Sequence, residues 1–204
     1  MNRRQKIITT ILWSLFLAGV LVLMALWSAS RMHATPSIAQ ADPTVPLFEV
    51  PDFELTNQDG HTVTLQTLKG RPWIGAFIFT RCPGPCPIMT RQMSQMQAHL
   101  PKDVTLVSFS LDPDYDTPQV LRAYGLQYNA DFSRWQMLTG NLQVIDHLAA
   151  AMKIAAERGP NPVEIAHGTH FVLVNPEGKV HGYYAHSDPD ENQRLIDDAR
   201  QLVK

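Results

Sequence analysis

The feature that most constrains the fold is an apolar segment that leads directly into a closely spaced pair of cysteines. Residues 73–80 (WIGAFIFT) carry no charge and are apolar on both alternating faces, which is typical of a central strand buried on both sides. Cys82 and Cys86 follow, and Pro87 suits the first turn of a helix that we expect to continue to about Leu100. The pattern predicts a strand that gives way to a helix, with two thiols at the junction.

The segments around this unit alternate between strand and helix periodicities. Strands separated by helices indicate a parallel central sheet covered on both faces, and a closing hairpin adds an antiparallel edge. The sequence therefore predicts an α/β domain with a thioredoxin-like fold and an extra N-terminal β-hairpin. The expected segments are a hairpin at 53–56 and 61–65, strands at 104–111 and 135–138, helices at 117–124 and 141–155, a second hairpin at 169–174 and 179–184, and a final helix at 189–203.

An uncharged apolar segment near the N-terminus indicates one transmembrane helix. The 21 residues from 7 to 27 include no Asp, Glu, Lys, Arg or His. As a helix they would span about 30 Å, the thickness of the hydrocarbon core of a bilayer. Arg3, Arg4 and Lys6 precede this segment and Arg31 follows it. The positive-inside rule then predicts a single-pass protein of the cell inner membrane, with residue 1 in the cytoplasm and the C-terminal domain on the periplasmic, extracytoplasmic side.

A cleaved signal peptide is the alternative interpretation, because residues 39–41 (AQA) resemble a small-residue cleavage site. We favour the anchor because the apolar run is longer than the usual signal-peptide core and ends more than ten residues before that site. No Cys lies near the run, which excludes a lipoprotein anchor. The expected organisation is a basic cytoplasmic N-terminus at 1–6, an anchor at 7–27, a tether at 28–50 and a globular domain at 51–204.

The charge distribution bears on the class of partner. The chain has 17 basic and 19 acidic residues. Four of the bases lie before residue 32 and no acid occurs before Asp42, so the remainder carries 13 bases against 19 acids. An excess of acids opposes binding to a phosphate backbone, and we expect no nucleic-acid partner.

The two cysteines point to chemistry, because two residues this close together cannot form a disulfide framework. At the start of a helix the dipole lowers thiol pKa, and Arg81 adds a cation beside Cys82. Thiolate both attacks disulfides and binds soft metals, so Cys82 and Cys86 are candidates for a redox pair and for metal ligands. A pair of inert buried cysteines is the other alternative. Two thiols alone do not decide between metal and redox chemistry.

A third ligand would favour a metal site, because Cu(I) is well served by two thiolates and an imidazole, whereas structural Zn sites usually have four ligands. His167 is the candidate, since it lies in the loop at 158–168 that feeds the strand at 169–174. In a thioredoxin-like fold this loop lies beside the cysteine turn. His170 lies within the strand and is a weaker candidate. The other histidines are expected at the surface or in the tether: His33, His61, His99, His147, His181 and His186.

Three ordered motifs resemble the Sco (SenC) family over residues from about 50 to 204. Residues 79–87 (FTRCPGPCP) are similar to the family's F-T-x-C-P-x-x-C-P. Residues 110–113 (SLDP) and 116–118 (DTP) are similar to its S-x-D-P-x-x-D-T-P. His167 precedes Pro176 by nine residues, where the family has its ligand histidine. The expected membrane anchor agrees with this resemblance.

The resemblance implies a membrane-tethered copper-binding protein whose relatives help to assemble the dinuclear copper centre in subunit II of cytochrome c oxidase. It implies a copper ion, Cu(I) or Cu(II), bound by Cys82, Cys86 and His167, with Asp112 nearby. The partner would be subunit II or another copper acceptor. Such relatives deliver copper, reduce the acceptor's cysteines, or do both. A thiol-disulfide oxidoreductase without a copper-delivery role is the alternative, and whether the chain is an enzyme stays open.

The chain departs from the family beside the ligand histidine. The family often has Asp before this residue and Ser or Thr after it, whereas the chain has Ala166 and Gly168. A carboxylate that accepts a hydrogen bond from a metal-bound imidazole orients the ring and raises its basicity. Glu164 and Asp112 are the candidates to replace that carboxylate.

Overall fold

The computed structural model describes residues 2, 5, 12–24, 48–161 and 164–203. The chain divides into two compact units, Met1–Gln40 and Ala41–Lys204. In the first unit, residues 12–24 are helical (α1) and exposed. Among the described residues, no helix combines the length and the apolar character needed to cross a membrane. The rest of the segment at 7–27, the tether up to residue 47 and the alternative cleavage site at 39–41 lie outside the described residues.

The second unit is built on a mixed β-sheet. Its strands are β1 (Phe48–Glu49), β2 (Glu54–Asn57), β3 (Thr62–Thr64), β4 (Trp73–Ile78), β5 (Thr105–Ser110), β6 (Trp135–Thr139), β7 (Ala156–Arg158), β8 (Ile165–His167), β9 (His170–Val174) and β10 (Lys179–Ala185). In the part of the chain that the structure describes, eight strands form one sheet in the order β1-β10-β9-β4-β5-β6-β2-β3. β5 is parallel to β4 and to β6, whereas β9 is antiparallel to β4 and to β10. β7 and β8 form a separate antiparallel ribbon.

The helices of this unit begin with favourable end groups. They are α2 (Leu65–Leu68), α3 (Pro85–His99), α4 (Pro118–Gln127), α5 (Leu142–Ala151) and α6 (Pro189–Gln201). Proline occupies the first turn of α3, α4 and α6, where its missing N–H costs no hydrogen bond. The side chains of Thr117, Asn141 and Asp188 accept hydrogen bonds from the first backbone N–H groups of α4, α5 and α6.

Alternation along β4 divides the hydrophobic core into two clusters. Ile74, Ala76 and Ile78 face one cluster, which includes side chains of α3, α4 and α6. Trp73 and Phe77 face the other, which includes side chains of α2 and α5. Helices therefore cover both faces of the sheet, as the sequence predicts. The predicted N-terminal hairpin is β2–β3, and it extends the sheet beside β6.

Several elements differ from the sequence-based expectation. Phe48 and Glu49 lie in the predicted tether, yet they form β1 by pairing with the start of β10. The loop expected at 158–168 includes most of the β7–β8 ribbon. α3 begins at Pro85, so Pro87 lies in its first turn as predicted, and both prolines suit that turn. The start at Pro85 places Cys86 inside the helix and not before it.

Candidate metal centre

The two cysteines lie at the turn between the central strand and the helix, as predicted. β4 ends at Ile78 and α3 begins at Pro85, so Cys82 lies in the turn and Cys86 in the first turn of α3. The backbone N–H of Cys82 donates to the carbonyl of Phe79 at 3.2 Å, which tightens the turn. Both cysteines are free thiols, and their exposed fractions are 8% for Cys82 and 0% for Cys86.

His167 comes from a distant part of the chain and meets the thiols. It is the last residue of β8, and its Nε2 lies 3.2 Å from Sγ of Cys86. The ligand atoms of Cys82, Cys86 and His167 all lie within 4.8 Å of one another. His170 begins β9, is exposed and does not belong to this group. The structure thus brings together the three residues that the resemblance implies as ligands.

The tautomer of His167 follows from its second contact. Its Nδ1 lies 3.1 Å from the carbonyl oxygen of Gly168. A carbonyl only accepts hydrogen bonds, so Nδ1 carries the proton and Nε2 presents its lone pair to Cys86. The ring of Phe79 also meets the imidazole edge to face, with centroids 6.0 Å apart. The imidazole is therefore oriented so that its metal-binding nitrogen faces the two sulfur atoms.

Burial favours the neutral forms of the Cys86 thiol and the His167 imidazole. Burial raises the pKa of the Cys86 thiol above its ordinary value, and a hydrogen bond with the Cys82 thiol raises it further. Burial of Cys86 therefore opposes the lowering of thiol pKa that we expect at the start of a helix. Burial also lowers the pKa of His167, which favours a neutral imidazole. A soft cation would supply the charge that stabilises a buried thiolate.

Neither of the two candidate carboxylates contacts His167. Arg81 donates from Nε and Nη2 to Asp112, at 3.0 and 2.7 Å, and its guanidinium lies 4.2 Å from the centre of the Tyr115 ring. Glu164 accepts from the amide of Asn161 at 2.5 Å. The hydrogen-bond partner of the imidazole is instead the Gly168 carbonyl. The substitution of one carboxylate by another was the wrong expectation, because a backbone group has taken the place of the missing side chain.

The sequence places Asp116 in the DTP motif but does not predict that it is a buried carboxylate below the cysteine turn. Asp116 is 0% exposed and accepts hydrogen bonds from the N–H of Thr80 at 3.1 Å, the hydroxyl of Thr80 and the hydroxyl of Ser110 at 2.5 Å. It thereby joins the end of β5 to the residue two positions before Cys82. Asp112, Asp114 and Asp116 alternate in the sequence, and this pattern suggests helix capping. The neighbouring Ser110 and Thr80 were the available signal for a buried network.

A cleft of about 500 Å³ opens between the cysteine turn and the β7–β8 ribbon. Cys82 and Phe79 line one wall, and Ile165 and Arg158 line the other. Cys86 is fully buried and does not line the cleft. A molecule in the cleft would therefore contact Cys82 and not Cys86.

The fold and the site define a class of protein: a thioredoxin-type α/β domain with a soft-ligand site of two thiols and one imidazole. The SCO1/SenC family model matches residues 42–204. The chain belongs to the SCO1/SenC family.

Individual relatives agree with this assignment. The chain is 37% identical over 138 residues to the SCO1 protein homolog of Bacillus subtilis (strain 168), which covers 65% of this chain and 72% of that protein. The crystal structure of a SCO1/SenC family lipoprotein from Bacillus anthracis str. Ames matches with a TM-score of 0.73 at 34% identity, covering 79% of this chain and 99% of that one. A structure of BsSco, described as a member of the Sco family of cytochrome c oxidase assembly proteins, matches with a TM-score of 0.67 at 36% identity, covering 78% of this chain and 97% of that one.

Proposed function

We propose that the chain binds a copper ion through Cys82, Cys86 and His167 and assists the assembly of the dinuclear copper centre of cytochrome c oxidase. The observation that carries the proposal is the meeting of the three ligand atoms within 4.8 Å, with the free nitrogen of His167 facing Cys86. The similar protein BsSco is described as belonging to a family of oxidase assembly proteins, which supports the same role here. The acceptor of the copper would be subunit II of the oxidase or another copper-binding partner.

The donor set favours copper over zinc. Two thiolates and an imidazole are soft and borderline ligands, which suit Cu(I), whereas structural zinc sites usually have four protein ligands. Within residues 48–161 and 164–203, no fourth His, Cys, Asp or Glu joins this group. Copper would be the cargo of such a protein, bound in a partly open site from which an acceptor can take it.

The second candidate function is thiol-disulfide exchange, and the unequal exposure of the two thiols favours it. Cys82 reaches the cleft, whereas Cys86 lies behind it. The Cys82 thiolate would attack a partner's disulfide and release one partner thiolate. Cys86 would then attack Sγ of Cys82, release the second partner thiolate and leave a Cys82–Cys86 disulfide, so two electrons pass to the partner. The same chemistry would reduce the cysteines of a copper acceptor, so the two functions can coexist on one site.

A copper titration with four variants separates these functions. The full-length chain is purified in detergent, reduced without oxygen and titrated with Cu(I) against a competing chelator. We expect one equivalent of tightly bound Cu(I), loss of tight binding in Cys82→Ser and Cys86→Ser, and weaker binding in His167→Ala. His170→Ala is the matched control, because His170 is an exposed imidazole outside the group. Binding unchanged in His167→Ala would contradict a ligand role for His167, and absence of Cu(I) binding in the wild type, with exchange activity retained, would leave only the redox function.

We also propose that the N-terminal segment anchors the domain to the inner membrane. The uncharged residues 7–27 and the bases that precede them support a single span with the domain on the periplasmic side. The proposed organisation keeps 1–6 as the cytoplasmic end, 7–27 as the anchor, 28–50 as the tether and 51–204 as the domain, with β1 pairing as the tether reaches the sheet. Extraction of membranes at alkaline pH tests this proposal. Release of the chain into the soluble fraction would contradict a span.

A further inference from the structure

The strand that carries His167 is not part of the main sheet. β8 pairs only with β7 in the described residues, and the two form a ribbon separate from the eight-stranded sheet. The hydrogen-bond ladder of the main sheet, which holds the strand before the cysteine turn, therefore does not extend to His167. The position of the imidazole depends on how the ribbon is attached to the body of the domain.

Arg158 makes that attachment. It is the last residue of β7, and its Nη1 donates to the carbonyl oxygen of Leu111 at 2.6 Å, while its Nη2 donates to Asp146 at 2.6 Å. Apart from the contacts of His167 with Cys86 and with the carbonyl of Gly168, these are the hydrogen bonds that join described residues of the two ribbon strands to the rest of the domain. One guanidinium thus connects the ribbon to the end of β5 and to α5.

The attachment point is close to the cysteine strand. The N–H of Leu111 donates to the carbonyl of Ile78, the last residue of β4, at 2.8 Å. The carbonyl of Leu111 accepts from Arg158, so a short chain of hydrogen bonds connects the strand before the cysteines with the ribbon. Planar guanidinium groups suit such paired contacts, because two N–H groups point in fixed directions.

The register of the ribbon relates the position of Arg158 to that of the imidazole. Arg158 pairs with Ile165 in the ribbon ladder, and Ala156 pairs with His167. Ile165 and His167 lie two residues apart and so project from the same side of β8. Ile165 packs against both core clusters, so this side of the ribbon faces the domain. Holding Arg158 against Leu111 therefore keeps the side of β8 that carries His167 turned toward the cysteines.

We propose that Arg158 is a positioning residue for the metal centre, which holds the β7–β8 ribbon closed so that His167 meets Cys86. The effect of Arg158 on copper binding rests on the proposed copper function. The effect of Arg158 on the position of the ribbon does not, because it concerns the chain without metal. Loss of Arg158 leaves the ribbon attached by the packing of Ala156 and Ile165, by the bond from His167 to the Gly168 carbonyl and by the weak contact between thiol and imidazole. The ribbon then opens more often, and the site presents two sulfur ligands without the nitrogen.

The first experiment needs no copper. Amide hydrogen exchange is measured on the reduced full-length chain in detergent, for the wild type, Arg158→Ala, Arg158→Lys and Arg122→Ala. Arg122 pairs with Asp59 and contacts the Phe132 ring, outside the ribbon, so its variant controls for losing a paired arginine. Because a charge-assisted hydrogen bond is worth enough to shift an opening equilibrium about tenfold or more, we expect at least tenfold faster exchange at residues 155–168 in Arg158→Ala. Arg158→Lys should restore part of the protection, and Arg122→Ala should leave the ribbon unchanged.

The second experiment tests the consequence for copper. Electron paramagnetic resonance of the Cu(II)-loaded chain reports nitrogen coupling from the imidazole, and the sulfur-to-copper charge-transfer absorption reports the thiolates. In Arg158→Ala we expect the nitrogen coupling to weaken, the sulfur absorption to remain and copper affinity to fall roughly tenfold to a hundredfold, the range for losing a residue that orients a ligand. Asp146→Asn keeps the backbone contact of Arg158 and should give a smaller effect of the same kind.

The outcomes distinguish this proposal from the copper proposal. Faster ribbon exchange in Arg158→Ala without copper binding in the wild type would leave the positioning role intact and refute the copper function. Unchanged ribbon exchange in a folded Arg158→Ala chain would overturn the positioning role, whatever the copper result. If Arg158→Ala does not fold, amide exchange of the ribbon is compared in Arg158→Lys and Asp146→Asn. Ribbon protection equal to that of the wild type in both variants would overturn the positioning role of Arg158.

Discussion

Replacing Asp116 by Ala tests whether the buried carboxylate below the cysteine turn stabilises that turn. The carboxylate accepts three hydrogen bonds, two from Thr80 and one from Ser110, and none of the side chain is exposed. Ser110 keeps one bond through its oxygen, which accepts from the N–H of Asp112 at 3.0 Å. In Asp116→Ala, the hydroxyl proton of Ser110 and the backbone N–H of Thr80 would lose their acceptor.

The expected loss follows from those two donors. A buried donor left without a partner costs about 1–3 kcal/mol. Thr80 is only partly buried, so its hydroxyl can turn to water and adds little. The variant no longer buries a carboxylate, and the desolvation energy that this saves offsets part of the cost. We expect Asp116→Ala to lose about 2–4 kcal/mol in the free energy of unfolding.

Urea unfolding of the reduced, metal-free chain measures this loss, because Trp73 and Trp135 are fully buried and report the core by fluorescence. Asp114→Ala is the control, since Asp114 is exposed in the same loop and its removal should change the free energy by less than about 0.5 kcal/mol. If Asp116→Ala costs no more than the control, the carboxylate does not stabilise the turn and the reasoning is refuted.

The same residue gives a pH dependence with a defined sign. Burial raises the pKa of Asp116 in the folded state, so its contribution to stability is complete in acid and is lost as pH rises through the folded pKa. Asp116→Asn cannot ionise and lacks this loss. The stability advantage of the wild type over Asp116→Asn should therefore shrink between pH 4 and pH 7. An advantage that grows over this interval would show that the pKa is lowered.

Three further predictions concern the oxidation state, the turn and the packing of α4. The oxidised chain, with its cysteine pair closed as a disulfide, should bind no Cu(I) until it is reduced, because only free thiolates are ligands; full stoichiometric binding before reduction would contradict the site. Arg81→Ala leaves the buried carboxylate of Asp112 without its cation, and since the guanidinium is 31% exposed we expect a loss of about 2 kcal/mol in urea unfolding, with no loss counting against the pair. Gly125→Ala places a methyl group 2.7 Å from the Phe132 ring, so thermal unfolding should show a loss of about 1 kcal/mol despite the better helix propensity of Ala; a gain would show that the ring moves freely.

The central strand and the cysteine turn could be predicted because their signals are local. β4 is apolar at every position, and proline marks the first turn of α3. Pro87 lies in the first turn of α3, as predicted, but the sequence does not show that the helix begins at Pro85, because both prolines suit a first turn. Cys86 therefore lies inside the helix, where it is fully buried, and burial raises the pKa of its thiol.

The place of His167 could be predicted from topology and family resemblance, but its attachment could not. β7 and β8 are short and polar (AER and IAH), so no apolar alternation indicates them. The carbonyl of Gly168 that orients the imidazole is a backbone group, and such groups leave no mark on the sequence. The pairing of Arg158 with Leu111 spans 47 positions and likewise follows only from the folded chain.

X-ray absorption of the Cu(I)-loaded, reduced full-length chain tests the metal centre most directly, because it counts the ligand atoms of each element around the copper. We expect two sulfur atoms and one imidazole nitrogen, with the nitrogen lost in His167→Ala and one sulfur lost in Cys82→Ser or Cys86→Ser. A spectrum with no imidazole contribution, or one that is identical in the wild type and His167→Ala, would contradict a copper site made of these three residues.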